Sequence, residues 1–172
     1  LRFNNPRPVL RAIGALVASD SQSSFRNQKL GPVAWPPRAV PNIAGIVGDL
    51  NVGRRPPSRR FQARPALIDT GRLRQSISFT VSENSVTIGT SLAYASIQQK
   101  GGISRTRLTA TGKENLSAFL KERPDLRGGL GFLFSVPSLT VKVRARKFVG
   151  VENDTIDTIA ELLQEYYMGG QI

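Results

Sequence analysis

At 172 residues and 40% hydrophobic content, the chain is long enough for one domain with a substantial core and short for two large ones. Cysteine and histidine are both absent, which removes disulfides, thiolate nucleophiles, sulfur-ligated metals and the usual general base at neutral pH; the expectation is a protein that is not an enzyme and needs no cofactor. The formal charge of +12 is uneven: residues 1–74 hold thirteen bases against three acids, residues 75–151 eleven against four, and residues 152–172 five acids and no base. Such a field attracts polyanions, DNA and acidic protein surfaces alike.

No apolar run approaches the roughly 18 residues that cross a membrane, and the first segment lacks the apolar stretch of a signal peptide. No membrane partner and no export are therefore expected, and Leu1 in place of Met fits processing or trimming.

The first predicted element is a helix over "PRPVLRAIGALVASD", with Asn5 as cap, Pro6 in the first turn and Val9, Ile13, Leu16 and Val17 on one face. It ends either near Asp20 or beyond "SQSSF", which would carry Phe25 to the same side. From Leu30 to Ala66 the periodicity fades. "GPVAWPPRAVPNIAG" holds four prolines and the only tryptophan, Trp35, which is either a cover for the core edge or an interface anchor. "VGRRPPSRRFQARP" packs Arg54, Arg55, Arg59, Arg60 and Arg64 among three more prolines; the alternatives are a solvated loop and a contact with a partner.

After Gly71 the pattern becomes that of strands. "SISFTVSENSVTIGTS" alternates Ile77, Phe79 and Val81, turns through "SEN" and resumes with Val86 and Ile88, an antiparallel hairpin with one buried face. "LAYASIQQKGG" reads as a helical turn or a bent strand with Leu92, Tyr94 and Ile97 inward. Residues 103–137 form a second excursion, containing a short amphipathic helix with Leu116, Phe119 and Leu120 stopped by Pro124, then "RGGLGFLFSVP" as a hairpin or loop. Leu139, Val141 and Val143 alternate as a strand that ends in a basic corner. The last helix carries Ile156, Ile159, Leu163 and Tyr166 as a stripe, Asp154 and Asp157 near its start, and Gly169 as its stop.

The expected fold is thus α+β: a small antiparallel sheet packed with N-terminal and C-terminal helices, in a single domain over 1–172 with long extended loops or arms at 30–66 and 103–137. Chemistry is thin. There is no GxxxxGK[ST], and Glu114 with Glu122, or Asp154 with Asp157, sit on ordinary helix faces. Asp69 before Thr70 and Gly71 suits an Asx-type turn leading into a strand, able to hold backbone amides and Arg72. Arginines 54, 55, 59, 60, 64, 72 and 74 share 21 residues with one acid, so non-specific phosphate contact is credible, but Phe61 alone interleaves them and no reading helix accompanies them.

"LIDTGRLRQSI" (67–77), "VTIGTSLAYASIQQKGG" (86–102) and "RARKFVGV" (144–151), preceded by "FRNQKLGPVAWPPR" (25–38), resemble in order the blocks of the tailed-phage virion morphogenesis family. Its members are also described as tail completion proteins, related to the G protein of phage Mu and the S protein of phage P2. The resemblance implies that Asp69, Thr70, Gly71, Leu73 and Ser76 form the turn and first strand, with Arg72 fixing that turn or a neighbouring subunit. It makes Gly89, Thr90, Tyr94 and Ala95 the second strand and its exit. Gln99 and Gly101 match a His-Gln-x-Gly closure in which Gln98 stands for the histidine, so the site cannot titrate near neutrality. Arg146, Phe148 and Gly150 match a Pro-x-Arg-Pro-Phe-Leu-Gly turn, with Arg144 and Lys147 at the proline positions and Val149 at the leucine.

The resemblance further implies a structural protein of the virion tail or neck, assembled in the host cytoplasm and acting in tail completion and head–tail joining. Its partners would be copies of itself, in a ring of six or at a portal of twelve, with other neck, tail-terminator or head–tail connector proteins and passing DNA. The acidic last segment of one subunit, including Glu161 and Glu165, would face a basic loop of the next. The rival expectation is a basic nucleic-acid-binding protein gripping phosphates through residues 54–74. A more remote one is an enzyme with Asp69, Tyr94 or a lysine converging in a cleft.

Overall fold

The computed structural model describes residues 5–168. In chain order the elements are α1 (Arg7–Asn27), β1 (Lys29–Leu30), β2 (Val33–Ala34), α2 (Ile43–Asn51), α3 (Arg72–Gln75), β3 (Ser78–Val81) and β4 (Val86–Gly89). They continue with α4 (Ala95–Lys100), β5 (Gly102–Thr106), α5 (Ala110–Glu122), α6 (Arg127–Leu130), β6 (Leu139–Val143) and α7 (Asn153–Tyr167). The strands pair as three antiparallel ribbons, β1 with β2, β3 with β4 and β5 with β6. The expected mixture of small antiparallel sheet and terminal helices is present, with its strands divided among ribbons. Two compact units result. One is built from the chain up to Pro36, Ala66–Gly101 and the chain from Arg144 onward; the other is built from Pro37–Pro65 and Gly102–Val143.

In the first unit α1 runs through "SQSSF", because Ser21 and Ser24 are themselves buried and Ser24 Oγ donates to Ser21 O at 2.6 Å, leaving Phe25 in the core. Asn5 Oδ1 accepts from Arg7 N at 3.1 Å in the first turn. Val9, Ile13 and Val17 pack against Val86, Ile88, Ile159, Leu162, Leu163 and Tyr166; each large aliphatic side chain removed from water contributes about 1.5–3 kcal/mol. Gly14 is required by proximity, since a Cβ there would enter the Phe79 ring. Ile156 departs from the expected stripe: it is 51% exposed and Thr155 takes the buried position, with its hydroxyl donating to Asp20 Oδ2 at 2.6 Å. The expected stop at Gly169 lies outside the described residues.

The ribbon β3–β4 pairs Ser78 with Gly89, Phe79 with Ile88, Thr80 with Thr87 and Val81 with Val86, in the register the alternation predicts. Its lead-in is a correction. Leu73 and Ser76 belong to a helical turn rather than a strand, since Gly71 at φ 75 reverses the chain and Leu73 and Ile77, one helical turn apart, are both buried. A four-residue helix is too short to leave a period in the sequence.

The second unit corrects two expectations. The segment 30–66 contains α2, capped by Asn42 Oδ1 on Gly45 N at 3.2 Å, with Ile46, Val47 and Leu50 buried. "RGGLGFLFSVP" is not a hairpin but α6 and a 3-10 turn that bury Leu130 and Leu133. Both join Leu116, Phe119 and Leu120 of α5 in one core. Thr109 caps α5 by accepting from Gly112 N at 3.0 Å, so the helix starts at Ala110, ahead of the Thr111 or Gly112 that the sequence suggests. The ribbon β5–β6 completes the unit with five pairs, from Gly102 opposite Val143 to Thr106 opposite Leu139.

A pinned corner and a divided arginine cluster

Residues 144–151 have no regular backbone pairing, so the corner needs donors and acceptors from elsewhere. Gln99, on α4, supplies most of them. Its Oε1 accepts from Phe148 N at 2.9 Å and Val149 N at 3.2 Å, while its Nε2 donates to Val149 O at 2.6 Å. One amide side chain thereby imitates a strand partner for two residues. Arg146 N donates to Gln98 O at 2.8 Å, and Trp35 Nε1 donates to Lys147 O at 2.7 Å. Gln98, at the histidine position of the resemblance, thus contributes its main-chain carbonyl.

Two side chains of the same corner, Arg146 and Phe148, are buried. Phe148 meets Phe25 at 5.5 Å between ring centroids, and Trp35 stands edge-on to Phe25 at 5.4 Å. Arg146 is only 9% exposed, and its Nε donates to Pro36 O at 2.9 Å. Burial lowers its pKa, and the like charge of Arg144 lowers it further. Gly150 passes so close to β1 that a Cβ would stand 2.8 Å from Leu30 Cδ2. Glu152 closes the corner by accepting from Gly31 N at 2.8 Å.

Trp35, Gln99 and the trio Arg146, Phe148 and Gly150, from three separate stretches of the chain, therefore form one structural hub. Gly101 belongs to its border, ending α4 at φ 74 with its N–H on Ile97 O at 2.9 Å. Gln28, which no motif in the sequence singled out, anchors the opposite side: its amide donates to Ala66 O at 3.1 Å and accepts from Ala66 N. The available signal was an amide side chain directly after a helix end, where main-chain groups lack partners.

The turn at residues 69–72 lies in the same unit but does a separate task. Thr70 Oγ1 accepts from Arg72 N at 3.4 Å, Asp69 is half-buried, and Arg72 is exposed. Ser76 and Thr90 join the turn to the end of β4 through their hydroxyls at 2.6 Å. Tyr94 is exposed at the start of α4. An open, largely apolar cavity of about 460 Å³ lies beside β4 and α4, lined among others by Leu92, Ser96, Gln99 and Lys100. Neither Asp69 nor Tyr94 is among its lining residues.

The arginines of residues 54–64 separate into different environments. Arg60 is enclosed with Asp49, their side chains 14% and 13% exposed, and donates from Nε at 2.8 Å and Nη2 at 3.3 Å. Arg55 reaches Glu122 at 2.9 Å in a solvent-exposed pair, its guanidinium 6.0 Å from the Phe119 ring centroid. Arg59 is half-buried, and its carbonyl accepts from Arg38 Nη2 at 2.8 Å. Arg54 and Arg64 are exposed. A row of equivalent phosphate contacts is not what the fold makes of this segment.

The corner ties one stretch of chain to another; its geometry defines a class of small α+β proteins whose polar groups are used in holding shape. The phage virion morphogenesis family model matches residues 2–167, and the chain belongs to that family. A general structural role in phage virion and tail morphogenesis follows from that membership. Comparison with curated proteins gives no match, nor does comparison with solved structures. No helix among the described residues is long and apolar enough to cross a membrane.

Proposed function

We propose that this protein is a structural, non-enzymatic component of a tailed-phage virion that acts in tail completion and head–tail joining, assembling as a ring that cements neighbouring components of the neck. The family match across residues 2–167 carries this reading. The corner agrees with it: Gln99, Trp35, Arg146 and Phe148 serve to hold a rigid body, which is what a joint between rings requires. Kinship with the G protein of phage Mu and the S protein of phage P2 belongs to the same reading. Six copies suit a sixfold tail and twelve a portal, and a ring through which DNA passes needs few basic groups that grip it tightly.

Native mass spectrometry of the purified protein, alone and after mixing with assembled tails from the same source, tests the proposal. A closed oligomer, or a monomer that becomes a ring of fixed copy number on tails, is the expected result. A monomer indifferent to tails overturns it. Retention on non-specific duplex DNA that falls steeply with salt would then favour phosphate binding through Arg54, Arg64 and their neighbours.

A further inference from the structure

The ribbon β5–β6 has one face on the core of its unit and one turned to solvent. The outward face carries Ile103 opposite Lys142 and Arg105 opposite Thr140. Ile103 is 66% exposed, and Arg105, Lys142, Arg107 and Arg144 are exposed with it. Residues 102–107 and 139–147 contain no acid.

Helix α7 has the complementary pattern. Asp154, Asp157, Glu161 and Glu165 recur at intervals of three and four, so they form one stripe, and all four are exposed. The stripe lies opposite Ile159, Leu162 and Tyr166, which pack on α1. Ile156, 51% exposed, lies on the other flank of the helix, beside Ile159 and Ala160. At 1.5 Å per residue the stripe runs about 17 Å, and a five-residue strand at 3.3 Å per residue runs about 13–17 Å. The two surfaces match in length and charge.

We propose that the acidic face of α7 in one copy docks on the outward face of the β5–β6 ribbon in a second copy, with Glu161 and Glu165 meeting Arg105 and Lys142. The contact joins two different surfaces of the same chain, so it is heterologous and repeats from copy to copy, as a closed ring needs. It rests on the proposed ring-forming role and adds which surfaces make the joint. An exposed isoleucine, Ile103, among these basic residues favours a protein surface over a phosphate backbone.

Charge exchange tests the joint. Glu161→Lys with Glu165→Lys removes the net negative charge of the α7 stripe and leaves the ribbon basic; Arg105→Glu with Lys142→Glu removes the net positive charge of the ribbon and leaves the stripe acidic. Sedimentation equilibrium at about 50 mM salt should show each variant at least tenfold weaker in self-association than the parent, and the parent's association should weaken towards about 500 mM salt. An equimolar mixture of the two variants should restore association, since each then offers the face the other lacks. Restoration also shows that both variants are folded. A parent that stays monomeric at both salt concentrations, variants that associate like the parent, or a mixture that does not recover overturns the joint. Loss of duplex DNA retention in the Arg105→Glu, Lys142→Glu variant, with self-association intact, assigns the ribbon to phosphates and overturns it too. Tail binding is scored separately: a chain that binds tails while ignoring the charge exchange loses this joint and keeps its proposed function.

Discussion

In the first unit Arg146 is buried beside a like charge, Arg144, and its guanidinium donates to the carbonyl of Pro36; in the second, Arg60 is about as enclosed but lies along the carboxylate of Asp49. The difference follows from what each must hold. The corner at 144–151 lacks ladder partners, so its unit uses side chains that can serve main-chain groups: Gln99, Gln28, Trp35 and Arg146. The second unit packs α2 on α5 with aliphatic side chains, joins the two helices through Asn51 and Asn115, and ties the 3-10 turn at Ser58–Arg60 to α2 through an enclosed ion pair. Polar residues thus shape an irregular path in one unit and fasten regular elements in the other.

The contrast breaks most sharply at Phe25. Phe25→Ala removes the ring shared by Trp35 and Phe148 and should cost about 4 kcal/mol in urea unfolding. Hydrogen exchange should rise in α1, α4 and the corner before it rises in α2 and α5; equal rises in both units would show that they open together. Asp49→Ala removes the carboxylate enclosed with Arg60 and should cost about 3 kcal/mol, with the opposite order of exchange. Replacing both by apolar residues, Asp49→Leu with Arg60→Met, should recover most of that loss, and a double variant as weak as the single one refutes the role given to the pair.

Gln99→Leu keeps the bulk and leaves the amides of Phe148 and Val149 without their acceptor, for about 2 kcal/mol. Thermal unfolding measures it, and exchange at residues 148 and 149 should rise most. The smallest effect belongs to Asp125, whose pKa is lowered first by its hydrogen bond with Arg123. A carboxyl depressed in the fold stabilises above its unfolded value and loses that contribution as pH falls through the folded one. Because the pair is exposed, Asp125→Asn should leave the thermal midpoint at neutral pH unchanged; a clear fall would mean the pair is held more rigidly than an exposed one.

Legibility in the sequence followed length and regularity. The long helix α1, the helix α5 with its stop at Pro124, and the β3–β4 register each leave a period of several residues, and all three could be read. Helix α2 could not, since nine residues between prolines and glycines hold too few apolar positions to set a period. Arg72–Gln75 was hidden for the same reason. In α7 the period and its phase were visible through Ile159, Leu163 and Tyr166; only Ile156 was misplaced, because it is as apolar as Ile159 and only packing on α1 tells them apart.

By itself the sequence determined the absence of cysteine and histidine chemistry, the basic body with an acidic last segment, the alternating and helical periods, and the ordered motifs of the family. These are properties of residue type and near spacing, and they survive without coordinates. Tertiary structure decided that Gln99 serves Phe148 and Val149, that Trp35 reaches Lys147, and that Arg60 is enclosed with Asp49 while Arg54 remains exposed. Those outcomes depend on contacts across tens of residues and on which polar groups the main chain leaves without partners, and neither can be read from local pattern.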